Sequence, residues 1–138
     1  MKKSTLLLTL LFLSAVVFAQ QKKTVHQTFP VNEEALTINL EVYGDYELEP
    51  WPGNTIMSET KIELEGAPPH VLKFLMEEKE RYTLEISGEG ESITLLSKDK
   101  ERRQIQYKGA DCYENVRLKL YVPDDFEVMS DKVLRRKE

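Results

Sequence analysis

One cysteine, one tryptophan and two histidines are all that this 138-residue chain holds of the side chains on which most site chemistry is built. A lone Cys112 excludes an intramolecular disulfide, so stability has to come from apolar burial. His26 and His70 with one cysteine fall short of the three or four convergent ligands of a zinc site. No D-x-D-x-D-G loop is available for calcium, and Asp124-Asp125 and Glu89/Glu91 supply only scattered oxygens, so no metal or other cofactor is expected. G-x-S-x-G is absent and no nucleophile signature surrounds Cys112. His26 shares the solvent parity of Thr28 and His70 opens a helix, so both read as surface residues.

A basic excess is lacking as well. Without Lys2 and Lys3, which precede the mature chain, 17 of the 19 basic side chains face 24 acidic ones, a net charge near −7. That balance excludes a nucleic-acid binder, which needs a basic face for phosphates. Long apolar runs are also scarce. The single one, residues 6–18 in MKKSTLLLTLLFLSAVVFAQ, follows Lys2-Lys3 and ends in Val17-Phe18-Ala19. This is the pattern of a secretory signal peptide over residues 1–19, cut after Ala19. The run is short of the roughly 20 residues that a membrane helix needs. The expected product is exported, periplasmic or extracellular, with no membrane span after signal removal. Residues 20–138 suffice for one domain with a modest core.

What the mature sequence does have is alternation. Leu36, Ile38, Leu40 and Val42 alternate with polar neighbours, as do Tyr46 and Leu48, then Ile56, Ile62 and Leu64. Period 2 with one apolar and one charged face is the mark of antiparallel sheets wet on one side. Further strands are predicted over 25–31, 81–87, 92–97, 104–108, 114–122 and, last, 126–129. Cys112 shares the inward parity of Val116, Leu118, Leu120 and Val122 and reads as a small buried hydrophobe. In GAPPHVLKFLMEEKER the apolar Val71, Leu72, Leu75 and Met76 switch to helical spacing behind Pro68-Pro69, which predicts a helix over 69–80 that caps the core. The fold class is therefore all-β, a mainly antiparallel β-sandwich or flattened β-roll with one short helix. The closing KVLRRKE reads as a solvated basic C-terminal tail.

Trp51 stands in EPWPGN. Pro50 ends a strand, and Pro52-Gly53 fits the centre of a type II turn in which Gly53 supplies the positive φ. Before Pro52 the tryptophan is extended, so its indole can fold on neighbouring strands; the alternative is an exposed stacking platform for a sugar or peptide. Trp51 is the single ligand-binding candidate.

Three stretches, QTFPVNEEALTINLEVYGDYELEPWPGNTI, then TKIELEG with YTLEISGEGESITLL, then VRLKLYVPDDFEV, resemble the N-terminal part of a bacterial adhesin family of unknown function, secreted β-strand repeat proteins. Phe29, Pro30, Val31, Leu36, Ile38, Gly44, Asp45, Asn54 and Pro123 hold the matching places. The resemblance implies an adhesin-like head without the family's run of short repeats, and it brings no catalytic residues. The expected function is a non-catalytic exported binding or structural module, monomeric, with a protein or glycan ligand. The alternative is a small secreted hydrolase using a carboxylate pair drawn from Glu47, Glu49, Glu63 and Glu65.

Overall fold

The computed structural model describes residues 20–138; the signal peptide read over 1–19 lies outside them. Strands β1 (Gln21–Pro30), β2 (Thr37–Glu41), β3 (Tyr46–Trp51) and β4 (Thr55–Glu65) come first, followed by helix α1 (Pro69–Glu77). Then follow β5 (Leu84–Ser87), β6 (Ser92–Ser97), β7 (Gln106–Tyr107), β8 (Ala110–Asp111), β9 (Tyr113–Pro123), β10 (Phe126–Ser130) and β11 (Val133–Arg136). One sheet has the order β1-β4-β9-β3 and the other β10-β11-β2-β6-β5, while β7 and β8 form a separate hairpin. Only β2 with β6 and β3 with β9 run parallel among these pairs. The all-β sandwich with one short helix is what alternation called for.

The core follows from the faces. Phe29, Ile56, Leu118, Leu120 and Val122 of the first sheet meet Ile38, Leu40, Ile93, Leu95 and Leu134 of the second. Strands β4 and β9 are 11 residues long, whereas those of the second sheet have four to six. The overhang would leave Ile62 and Leu64 wet. Helix α1 covers it with Leu72, and Tyr82, Ile105 and Cys112 complete this second cluster. The helix thus caps one end of the core, and it stops at Glu77 rather than at residue 80. Among the described residues no helix is long and apolar enough to cross a membrane.

The two sheets are joined at both seams by single side chains. Gln27 on β1 donates from Nε2 to the Leu84 carbonyl (3.1 Å) and accepts the Leu84 N–H (2.9 Å), so its amide imitates a strand neighbour for β5. Across the molecule the Tyr46 hydroxyl donates to the Asp131 carbonyl.

Two local readings differ from the sequence expectation. The last strand is β11, not β10, and the basic tail is not a solvated terminus. Leu134 has no exposed surface, and β11 lies between β10 and β2 in the sheet. Arg136 donates from Nε to the Ala35 carbonyl (2.8 Å), pairs with Asp125 and lies 4.5 Å from the Phe126 ring centroid. Alternation was hidden because two of its four positions, Arg135 and Arg136, are basic. The strand predicted over 104–108 shrinks to the two residues of β7 and is ended by a two-residue hairpin turn, Lys108 (φ 50°) and Gly109 (φ 78°), whose paired positive φ values are those of a type I′ turn.

Candidate functional site

Trp51 ends β3 half-buried. Its indole N–H donates to the Thr55 carbonyl (2.8 Å), and its six-membered ring lies on Gly53, where a Cβ would come within 2.0 Å of Cη2. Gly53 does not have positive φ, and its N–H donates to the Trp51 carbonyl (2.9 Å). The type II turn is therefore replaced by a tighter one, in which Gly53 serves to make room for the indole. The tryptophan folds onto its own turn.

The chemistry-bearing residues gather elsewhere, where the segment after α1 and the loop over residues 98–105 pass the start of β9. Arg81 and Tyr82 are 6% and 2% exposed, which is unusual for an arginine and demands a partner. Glu114, one residue into β9 on the face of Cys112 and Val116, is that partner. Arg81 donates from Nε to Oε2 and from Nη2 to Oε1, both at 3.0 Å, and from Nη1 to the Arg103 carbonyl (2.8 Å). The Tyr82 hydroxyl donates to Glu114 Oε2 as well. Burial disfavours the Glu114 charge, but the Arg81 and Tyr82 hydrogen bonds and the Arg81 and Arg102 charges win and hold its carboxyl below the usual value. Tyr82 is raised by burial first and then by the bond to Glu114. Glu114 is thus a fixed, fully satisfied anion rather than a group poised to exchange a proton.

Arg102 stands beside this network with a different account. Asp99 accepts the N–H groups of Glu101 (3.1 Å) and Arg102 (3.3 Å), and the backbone turns through φ 43° at Arg102, which directs its side chain inward. The guanidinium carbon lies 5.0 Å from the Tyr43 ring centroid and 5.2 Å from that of Tyr82. Its Nε is buried with no partner, and the acids that flank it are occupied, Glu114 by Arg81 and Glu101 by Arg103. An unmade hydrogen bond of this kind costs about 1–3 kcal/mol, partly offset here by the two rings. Burial, and then the neighbouring Arg81 charge, lower the Arg102 pKa. Over the cluster opens a cleft of about 290 Å³ lined by Tyr43, Arg81, Arg102, Gln104, Tyr113 and Glu114, with Cys112 and Ile105 below.

Other candidates are dispersed. Cys112 is 4% exposed, its Sγ donates to the Gly66 carbonyl (3.6 Å), and burial followed by the Asp111 charge pushes the thiol up, so it behaves as the small buried hydrophobe expected of it. His26 is exposed opposite Glu59, and exposed His70 meets Tyr107 edge-on at 6.1 Å. Among the described residues no group of three or more His, Cys, Asp and Glu side chains is placed to hold a metal. Strand β9 separates β3 from β4, so Glu47 lies opposite Lys119 and Glu63 opposite Asn115. Four register steps of about 3.3 Å and two strand spacings of about 4.8 Å put these carboxylates beyond the roughly 5–9.5 Å of a glycosidase pair. Glu49 is instead paired with Lys119 (2.6 Å) and Glu63 with Lys22 (3.9 Å).

Sequence reasoning missed Arg81, Tyr82, Arg102 and Glu114. Both arginines sit in charge runs, KERY and KERRQ, that read as solvated. Glu114 did carry a signal: it falls on the inward parity of Cys112, Val116 and Leu118. No family model matches the chain, and no curated protein and no solved structure matches it either.

Proposed function

We propose that the protein is a non-catalytic binding module, exported by its N-terminal segment to the periplasm or the extracellular space and monomeric there, in the manner of an adhesin-like head. The observation that supports this most is the saturation of Glu114. Its two oxygens take three hydrogen bonds, its carboxyl is held below the usual value and burial pushes the neighbouring thiol up, so this cluster of buried titratable groups is arranged to stay still. Above that rigid base lies a cleft with two half-open tyrosines at its rim, Tyr43 at 49% and Tyr113 at 63% exposure, a geometry suited to holding a ligand.

The hydrolase reading is weakened by the strand register, which sets Glu47/Glu49 apart from Glu63/Glu65. Purified material exported from cells, with an expected N-terminus at Gln20 by intact mass, tests the choice on a panel of chromogenic glycosides and esters. No turnover above buffer is expected. Turnover that disappears in Glu49→Gln or Glu63→Gln would replace the binding module with a hydrolase.

A further inference from the structure

We infer that the cleft above Arg102 is a binding site for an anionic sugar, a pyranose carrying a carboxylate or sulfate group that docks on the Arg102 guanidinium; this rests on the binding-module reading. The tally of hydrogen-bond capacity decides the sign of the ligand. On the acceptor side the one carboxylate that lines the cleft is committed, Glu114 to Arg81 and Tyr82, and what remains is neutral, the Gln104 amide oxygen and the tyrosine hydroxyls. A cation would find no uncommitted carboxylate in the lining. On the donor side Arg102 is left over, since among the described residues its guanidinium makes neither a hydrogen bond nor an ion pair and its Nε is shut away from water.

A fixed planar fork of donors is matched by a carboxylate or a sulfate, with two oxygens facing two N–H groups. The backbone conformation of Arg102 and the Tyr43 and Tyr82 rings set the fork in place before any ligand arrives, which lowers the ordering cost of binding. The rim supplies the second half of the recognition. Tyr43 and Tyr113 line the same cleft, are 49% and 63% exposed and use neither hydroxyl within the described residues, so each offers a free O–H and Tyr113, whose ring carries no cation, an open flat face as well. Aromatic faces edged with hydroxyls take the C–H face and hydroxyl groups of a pyranose. The remaining cations near the cleft are committed, Arg81 to Glu114 and Arg103 to Glu101, which leaves room for one anion at Arg102 rather than a polyanion track.

Calorimetric titration of the protein with trigalacturonate, a sulfated galactotriose, uncharged galactotriose and sodium sulfate tests the site. The charged trisaccharides are expected to bind and galactotriose to bind at least about tenfold more weakly, the cost of one charge-assisted contact. Whichever charged sugar binds more tightly identifies the anion. Arg102→Gln should lose at least about tenfold for the charged sugars, with Arg102→Lys between the two. Tyr113→Ala, at an open position that cannot disturb the fold, should weaken the charged sugars and leave sulfate unchanged, which keeps the test available if Arg102→Gln fails to fold. No binding by any probe, equal binding of galactotriose, or affinities unmoved in a folded Arg102→Gln would overturn the anion site. Equal binding of galactotriose would leave the module reading standing, whereas cleavage of any trisaccharide would remove that reading as well.

Discussion

At the level of single residues the molecule turns on a carboxylate with no freedom. Glu114→Gln keeps the shape of the side chain but strips Arg81, itself 6% exposed, of its counter-charge. Removing one member of a buried pair typically costs 3–5 kcal/mol, and since the Glu114 side chain retains 18% exposure the lower end applies, about 3 kcal/mol. Urea unfolding should show this at neutral pH; a loss under about 1 kcal/mol would mean the pair is not holding the start of β9. The acid limb gives the sign. Folding lowers the Glu114 pKa from its ordinary 4.5, so its contribution is fully present above pH 4.5 and fades as pH falls through the lower folded value. The wild type should therefore lose stability on acidification more steeply than Glu114→Gln. Glu114 and Gln27 were both readable in the sequence as polar residues on otherwise apolar strand faces, Gln27 with Val25 and Phe29, Glu114 with Cys112 and Val116. Arg102 was not, because its inward turn depends on an Asp99 cap and a positive φ that no periodicity announces.

At the level of elements, period 2 located most of the strands and the switch to helical spacing located α1. What it could not supply was pairing. Strand β11 escaped because Leu134 is followed by two arginines and a lysine, and β8 because a two-residue strand has no period to count. The Gln27 clamp is a pairing of the same hidden kind, a side chain serving as backbone. Gln27→Ala leaves the Leu84 N–H and C=O on the outer edge of β5 without partners, worth about 1–3 kcal/mol. Hydrogen exchange at the Leu84 amide should quicken by about ten- to a hundredfold, with the Ile93 and Leu95 amides of the central strand β6 unaffected. An unchanged Leu84 rate would show that β5 is protected by something other than Gln27.

At the level of the whole molecule, two sheets of unequal length explain where the site lies. The long β4 and β9 outrun the short strands opposite, α1 and the loop over residues 98–105 fill the step, and the buried polar network forms at that junction because loop backbone and side chains meet there. The sandwich class was legible from composition and alternation. The site was not, since it is assembled from a helix exit, a loop and a strand start whose meeting is a property of the tertiary fold. Trp51, the residue that drew attention in the sequence, belongs to the opposite end of β3 from the cleft that Tyr43 lines. Backbone amide shifts recorded while trigalacturonate is titrated into the protein would therefore locate the ligand directly. The changes are expected at Tyr43, Arg102, Gln104 and Tyr113; changes confined to Trp51 and Gly53, or to Glu47 and Lys119 on the outer sheet face, would contradict the assignment of this cleft.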